Sequence, residues 1–188
     1  MVNFNIKGTN NITYFGDHAF NNCEKLTYCP INQNGVVIDG TYTFNYCFKM
    51  TGGAIFSDEV TEIGEWMFNN AYNITHIVLG KNIQSIGKYA FDNCGRDVDI
   101  KVFYKGTMEE WRQIEFESTN YSTSPTSSKG RLCNKPRYYY LENSPTQEDL
   151  DKLTTDYGTD YSILEEAKKG GGTKGYWHYD ENNEIVIW

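Results

Sequence analysis

The chain has 188 residues, of which 39% are hydrophobic and 15% aromatic, a composition typical of a folded protein rather than a disordered one. Its net charge of −8 and its pI of about 4.9 argue against nucleic acids and anionic lipids as partners, because both require clustered basic residues. No apolar run approaches the roughly 20 residues of a membrane-spanning helix. The first residues also lack a basic stretch followed by an apolar one, so we expect neither membrane insertion nor a secretory signal.

A short motif recurs four times in the first half of the chain, at intervals of 24, 24 and 23 residues. Each copy has a phenylalanine, a glycine four residues before it and a small residue three residues after it. These positions are Gly16, Phe20 and Cys23, then Gly40, Phe44 and Cys47, then Gly64, Phe68 and Ala71, and finally Gly87, Phe91 and Cys94. A constant period of this length predicts a stacked repeat architecture.

Each constant position has a physical role in a stack of coils. A β-branched residue four positions before the glycine favours a short strand, and the glycine permits a tight bend. The phenylalanine fills the space between coils. The position three residues after it is small because the same position of the neighbouring coil stacks on it. Cys29 and Ile31, like Ile77 and Leu79, alternate as a strand with one buried face does. The sequence therefore predicts an α/β repeat solenoid of about four coils over residues 1–105.

A helix and a linker are predicted to follow the repeats. Thr107 and Glu110 form a capping box, which predicts a helix over residues 106–117 that covers the open end of the solenoid. Residues 118–136 are rich in serine and threonine and are predicted to be a linker.

Residues 137–188 are predicted to form a small α+β unit. Arg137–Glu142 has the composition of a strand, and Thr146 and Ser162 are candidate N-caps of two helices. The last predicted element is a hairpin with its turn at Asp180–Asn183.

The pattern is most regular in Ile83–Cys94, "IQSIGKYAFDNC", and in Val60–Asn82, "VTEIGEWMFNNAYNITHIVLGKN". These units resemble those of the BspA-like leucine-rich repeat family. The later segments "RYYYLENSPT" and "GYWHYDENNEIVIW" resemble the ending of many bacterial and phage-encoded members. The resemblance implies a solenoid that serves surface adhesion and protein binding. Residues Gln147–Gly175 depart from it, since the family usually has a few residues in that place, and the sequence assigns them no role.

The five cysteines are Cys23, Cys29, Cys47, Cys94 and Cys133. Their odd number and spacing fit neither a zinc site nor a disulfide scaffold, so we expect buried free thiols. A bridge from Cys23 to Cys47 is the open alternative, because stacked strands lie close enough for one.

No motif for catalysis or for binding a cofactor stands out in the sequence. The histidines His18, His76 and His178 lack companions at metal-ligand spacing, so we expect no metal, no cofactor and no enzymatic activity. The rival hypothesis is a small hydrolase or carbohydrate-active unit within residues 137–188. It requires His178 to meet Glu142, Asp149 or Asp180 in a pocket.

Alternation in the strands turns a second set of side chains away from the core. We predict that they form an exposed apolar and aromatic ladder that contacts a protein or a sugar. The ladder residues are Tyr28, Pro30, Phe56, His76, Val78, Lys101 and Phe103. The alternative is that the second half of the chain, or another copy, covers this face.

The sequence thus favours a non-enzymatic interaction and adhesion module. The absence of a leader and the ending shared with phage-encoded members favour a virion component: a decoration, fibre or tail-associated protein that contacts another virion protein or the host surface. The alternative is a fragment of a bacterial cell-surface adhesin. The expected partner is a protein or a surface glycan, and the sequence leaves a homo-oligomer open.

Overall fold

The computed structural model describes residues 14–29, 37–38, 40–117, 132, 135–155 and 172–188. The helices are α1 (Met108–Trp111) and α2 (Gln147–Thr155). The strands are β1 (Tyr14–Phe15), β2 (Val37–Ile38), β3 (Thr51–Ile55), β4 (Glu62–Ile63), β5 (Asn73–Leu79), β6 (Ser85–Ile86), β7 (Lys101–Tyr104), β8 (Glu115–Phe116), β9 (Pro136–Tyr140), β10 (Gly172–Tyr179) and β11 (Ile185–Ile187).

Each repeat coil consists of a two-residue strand, a bend with the glycine and the phenylalanine, and a second strand segment. The first strands stack in parallel as β1–β2 and as β4–β6–β8. The second strands form one sheet in the order β11-β10-β9-β7-β5-β3, which is parallel apart from the pair β10–β11. Because β8 and β9 extend the two stacks, the strand ladders continue beyond residue 105, where the repeats recognised in the sequence end.

The bend has one hydrogen-bond pattern in successive coils. Some residues bond within their own coil, as the Asn21 N–H does to the carbonyl of His18, and the residues between them donate to the next coil. The His18 N–H, for example, donates to the Thr41 carbonyl at 2.9 Å. This pattern requires left-handed backbone, with φ between 55° and 59°, two residues after the glycine and two residues after the phenylalanine. The residues with this conformation are His18, Tyr42, Trp66, Tyr89, Asn22, Tyr46, Asn70 and Asn93.

The repeat glycines are required for the close approach of successive coils. A Cβ on Gly64 would lie 2.5 Å from the carbonyl oxygen of Gly40, and one on Gly87 would lie 2.7 Å from the backbone nitrogen of Glu65. Neither contact is sterically allowed, and backbone atoms cannot move aside as a flexible side chain can. Neither glycine has a positive φ, so the close approach of the coils, and not a left-handed backbone, requires glycine at these positions.

The repeat phenylalanines form a continuous stack through the core. Ring centroids are 5.2 Å apart for Phe20 and Phe44, 5.1 Å for Phe44 and Phe68, and 5.7 Å for Phe68 and Phe91. Phe44, Phe68 and Phe91 are completely buried, which is the role that the repeat pattern predicts for them.

The small repeat positions stack beside the phenylalanines. Cys47 and Cys94 are buried and Cys23 is half-buried, and all three are free thiols, as is Cys29. The Cys47 thiol donates to the carbonyl oxygen of Phe20 at 3.2 Å. The free-thiol interpretation is therefore confirmed for these four cysteines, and Cys133 lies outside the described residues.

Helix α1 begins with the predicted capping box. The Thr107 N–H donates to Glu110 Oε2 at 2.7 Å, and the Glu110 N–H donates to Thr107 Oγ at 3.2 Å. The helix ends at Trp111, well short of the predicted limit at residue 117, because residues 115–116 pair with β6 as strand β8. That α1 closes the solenoid stays a prediction.

The predicted C-terminal hairpin is confirmed by the antiparallel register of β10 and β11. Strand β9 pairs in parallel with β7 on one side and with β10 on the other, so the last strands continue the sheet of the repeats. Helix α2 follows Thr146, whose Oγ accepts from the Asp149 N–H at 3.2 Å. The division of the chain at residue 137 stays a prediction, and most of the proposed linker and the helix proposed after Ser162 lie outside the described residues.

Candidate binding groove

The six-stranded sheet has two faces with different contents. One face carries the main core of the repeats. The other carries a smaller buried cluster of Val78, Phe103 and Trp177, flanked by half-buried side chains from β3, β9, β10 and β11. Residues of β3 and β11, the two ends of the sheet, line the same groove. The sheet must therefore curl into a half-barrel around this second cluster.

The residues of the predicted ladder differ in exposure in the structure. Tyr28 is 49% exposed, and Pro30 lies outside the described residues. His76 and Lys101 are half-buried and line the groove. Val78 and Phe103 lie on the predicted face but are 0% and 4% exposed, so the expectation that they are exposed is wrong.

Phe56 is a clear correction to the predicted ladder. It is 1% exposed and packs in the main core, with its ring centroid 5.9 Å from that of Phe68, and its neighbour Ile55 faces the groove instead. The reason is an irregularity between β3 and β5: Gly52 pairs with Ile74, but Gly53 pairs with His76. One extra residue on β5 shifts the register, and a shift of one residue moves side chains to the opposite face.

The second half of the chain covers Val78 and Phe103. The Phe103 ring centroid lies 5.3 Å from that of Tyr138 on β9 and 5.5 Å from that of Trp177 on β10. Trp177 is completely buried, and its Nε1–H donates to the carbonyl oxygen of Tyr104 at 3.1 Å. For this part of the ladder, the alternative of coverage by the protein's own C-terminal strands is correct.

Beside this cover, the curled sheet leaves a groove of about 470 Å³. Its apolar lining is Ile55, Phe103, Tyr179, Ile185 and Ile187, and its polar lining is Thr75, His76, Asp99, Lys101, Asn183 and Glu184. Asp99, Lys101 and the Glu184 carboxylate form no ion pair or side-chain hydrogen bond within the part of the chain that the structure describes. The groove thus combines an apolar floor with charged groups that have no intramolecular partner there.

The imidazole of His76 is held in one tautomer. The Thr75 hydroxyl donates to the Gly52 carbonyl at 3.2 Å, so its oxygen accepts from His76 Nδ1–H at 3.0 Å. The ring lies over Gly53, where a Cβ would collide with it. Burial lowers the pKa of His76, because the surroundings disfavour the charged form. The ring in the wall of the groove therefore favours its neutral form.

Of the residues in the rival catalytic hypothesis, Glu142 is exposed, and His178, Asp149 and Asp180 each have other partners. His178 stacks on Trp188 with centroids 4.0 Å apart, and its Nδ1–H donates to the Tyr179 carbonyl. Asp180 accepts the N–H groups of its own turn, and Asp149 bonds to Thr146 at the start of α2. Among the described residues, no group of three or more histidine, cysteine or acidic side chains is arranged to hold a metal ion.

A second aromatic stack was not recognised in the sequence. His18, Tyr42, Trp66 and Tyr89 stack in succession, with centroids 4.9, 5.7 and 4.2 Å apart. The sequence pattern that indicates this stack is an aromatic residue two positions after each repeat glycine. The rings cover one another's faces along the stack.

A family model for the BspA-type leucine-rich repeat region matches residues 2–122 in six copies. The chain belongs to the BspA-type leucine-rich repeat family. The six copies exceed the four units recognised from the phenylalanine spacing, in agreement with strand ladders that continue past residue 105. Proteins with these repeats are generally surface-associated, non-enzymatic scaffolds that mediate protein binding and adhesion.

None of the curated proteins and none of the solved structures compared with the chain matches it. Within the described residues, no helix combines the length and the apolar character needed to cross a membrane.

Proposed function

We propose that this chain is a non-enzymatic interaction and adhesion module whose groove binds a segment of a partner protein. The observation that carries the proposal is the groove itself, where Asp99, Lys101 and Glu184 surround an apolar floor without pairing with one another. Its volume of about 470 Å³ lies within the range of natural ligand sites. Unpaired charges beside aromatic rings give such a site orientation and specificity.

Variants of the groove charges test this function directly. Lys101→Ala combined with Glu184→Ala should weaken attachment to the native partner surface by about tenfold or more, as loss of interface anchors does. The matched control combines Lys49→Ala with Glu24→Ala, which removes one charge of each sign at exposed positions outside the groove. Equal attachment of the two double variants, with unchanged circular dichroism, would rule out the groove as the binding site.

We further propose that the protein acts on a virion surface, as a decoration, fibre or tail-associated component. The support is the C-terminal ending that resembles those of phage-encoded members. The alternative, a bacterial cell-surface adhesin, is supported by the surface association of the family. A density gradient of lysed source culture, probed with an antibody to the protein, separates the two. Co-sedimentation with phage particles supports the virion, and sedimentation with cell envelopes supports the adhesin.

Enzymatic treatment of the partner surface discriminates between a protein and a glycan partner. Treating the particle or envelope with protease should abolish attachment of the wild-type protein, whereas glycosidase treatment should leave it intact. The opposite result would show that the groove recognises a surface glycan.

A further inference from the structure

The outer edge of β11 borders the groove, and among the described residues no strand pairs with it. Strand β11 is an end strand of the sheet, and Ile185 and Ile187 line the groove beside it. The Asp180 N–H donates to the Glu184 carbonyl and the Trp188 N–H to the Tyr176 carbonyl. In an antiparallel pair, hydrogen-bonded positions alternate, so the backbone groups of His178 and Val186 face each other between these two bonds.

The backbone groups of Ile185 and Ile187 therefore point away from β10. Within the described part of the chain, no strand pairs with this side of β11. Two N–H and two C=O groups are left in the plane of the sheet, ready to pair with an added strand.

The edge carries little protection against pairing. Natural edge strands are commonly blocked by a proline, an inward-pointing charge or a bulge. Strand β11 has the sequence Ile-Val-Ile and contains no proline and no charged residue, although its short length does limit pairing. Ile187 is 39% exposed. As a β-branched residue it favours a strand that is paired and half-buried.

We infer that an extended, basic segment of another protein adds to the free edge of β11 as a further strand and places alternate side chains in the groove. The inference rests on the proposed function, because it specifies how the groove holds its partner. Strand addition derives affinity from main-chain hydrogen bonds and specificity from the pockets that receive alternate side chains. Here the apolar side chains would meet Ile55 and Ile187, and a basic one would meet Asp99 and Glu184.

The negative charge of the groove and of the chain favours a basic segment as the added strand. The groove has two carboxylates against one ammonium group, and the whole chain has a net charge of −8. A second copy of this acidic chain would bring like charge to the edge, whereas a basic segment is attracted to it.

The test is an NMR titration of the full chain with the peptide Val-Thr-Lys-Thr-Val, whose alternation puts valine, lysine and valine on one side. The Ile185 and Ile187 amide signals should shift, and these amides should become protected from hydrogen exchange. The counterpart Val-Thr-Glu-Thr-Val should bind about tenfold more weakly, because it opposes Asp99 and Glu184. A fully N-methylated form of the basic peptide should not bind. Equal binding of the methylated and unmethylated peptides would overturn strand addition.

Ile187→Pro removes one free N–H without breaking the ladder to β10, since proline is tolerated at such an edge position. It should weaken binding of the basic peptide about tenfold, whereas the control Lys49→Ala, at an exposed position outside the groove, should bind as the wild type does. Unchanged binding by Ile187→Pro would overturn the inference. So would a wild-type dimer in sedimentation that Ile187→Pro dissociates, because the occupant would then be a second copy.

The two proposals fail separately. If the peptide leaves the Ile185 and Ile187 amides unchanged but the groove double variant still loses attachment, strand addition is wrong and the groove remains the binding site. If the peptide binds at the edge but the groove double variant attaches normally, the proposed function of the groove is wrong.

Discussion

At the scale of single residues, the repeat glycines and the small repeat positions set how closely the coils stack. Gly64 faces the backbone of the preceding coil, so that a Cβ would meet the Gly40 carbonyl oxygen. Gly175, in contrast, has ordinary van der Waals space toward the Tyr138 ring, 3.6 Å away. Adding a side chain at Gly64 should therefore disturb the stacking of the coils, whereas adding one at Gly175 should not.

We expect Gly64→Ala to lower the free energy of unfolding by about 1–3 kcal/mol, because two rigid backbone segments must separate. Gly175→Ala is the control and should change it by less than about 1 kcal/mol. Urea unfolding followed by circular dichroism measures both. A Gly64→Ala variant as stable as the wild type would show that the coils can move apart without cost.

The thiol of Cys47 makes stability dependent on alkaline pH. Burial, the largest cause, raises its pKa from 9.0 to about 12, while the thiol of the unfolded chain ionises near its ordinary value. Between these values the unfolded state has lost a proton that the folded state keeps, so stability is full below pH 9 and falls as the pH rises toward 12.

Cys47→Ala should therefore flatten the decrease in unfolding free energy between about pH 9 and pH 10.5. Alanine is a suitable replacement because Ala71 occupies the same position in the third repeat. Urea midpoints across this pH range measure the effect, with Cys23→Ala as the control at the half-buried position. Parallel curves for wild type and Cys47→Ala would contradict the assigned burial of this thiol.

At the scale of elements, β5 and the C-terminal hairpin decide what the second face of the sheet presents. The extra residue on β5 turns Phe56 inward and Ile55 outward. The hairpin then places Trp177 over Val78 and Phe103. The groove is the part of this second face that the hairpin leaves uncovered.

Trp177→Ala should destabilise the protein by about 3–5 kcal/mol, as the loss of a fully buried large aromatic side chain does. Trp177→Phe keeps most of the packing and loses the hydrogen bond to the Tyr104 carbonyl, which should cost about 1–2 kcal/mol. Denaturant midpoints of the two variants give the comparison. Equal stability of both variants and the wild type would mean that the hairpin does not pack on the repeats.

At the scale of the whole molecule, one sheet runs from the repeats into the last strands. Strand β9 lies between β7 and β10, and Trp177 bonds to the backbone of β7. This continuity predicts that residues 137–188 unfold together with the solenoid.

Urea unfolding of a variant that combines Trp66→Phe with Trp111→Phe tests this cooperativity. Its remaining tryptophans, Trp177 and Trp188, report on residues 137–188 by fluorescence, whereas far-ultraviolet circular dichroism reports on all strands. The two transitions should coincide. A separate fluorescence transition would instead support an independent unit after residue 137.

The sequence by itself determined the repeat, its family, the stacked phenylalanines and the C-terminal hairpin. These follow from periodicity and local turn chemistry, which act over a few residues or recur at a fixed interval. It could not place Phe56, because an extra residue on β5 shifts the register while leaving the motif spacing recognisable. The cover over Phe103, the groove and the free edge of β11 were decided by the tertiary structure alone. Each depends on the curl of a sheet whose first and last strands meet across the groove although they are more than a hundred residues apart in the chain.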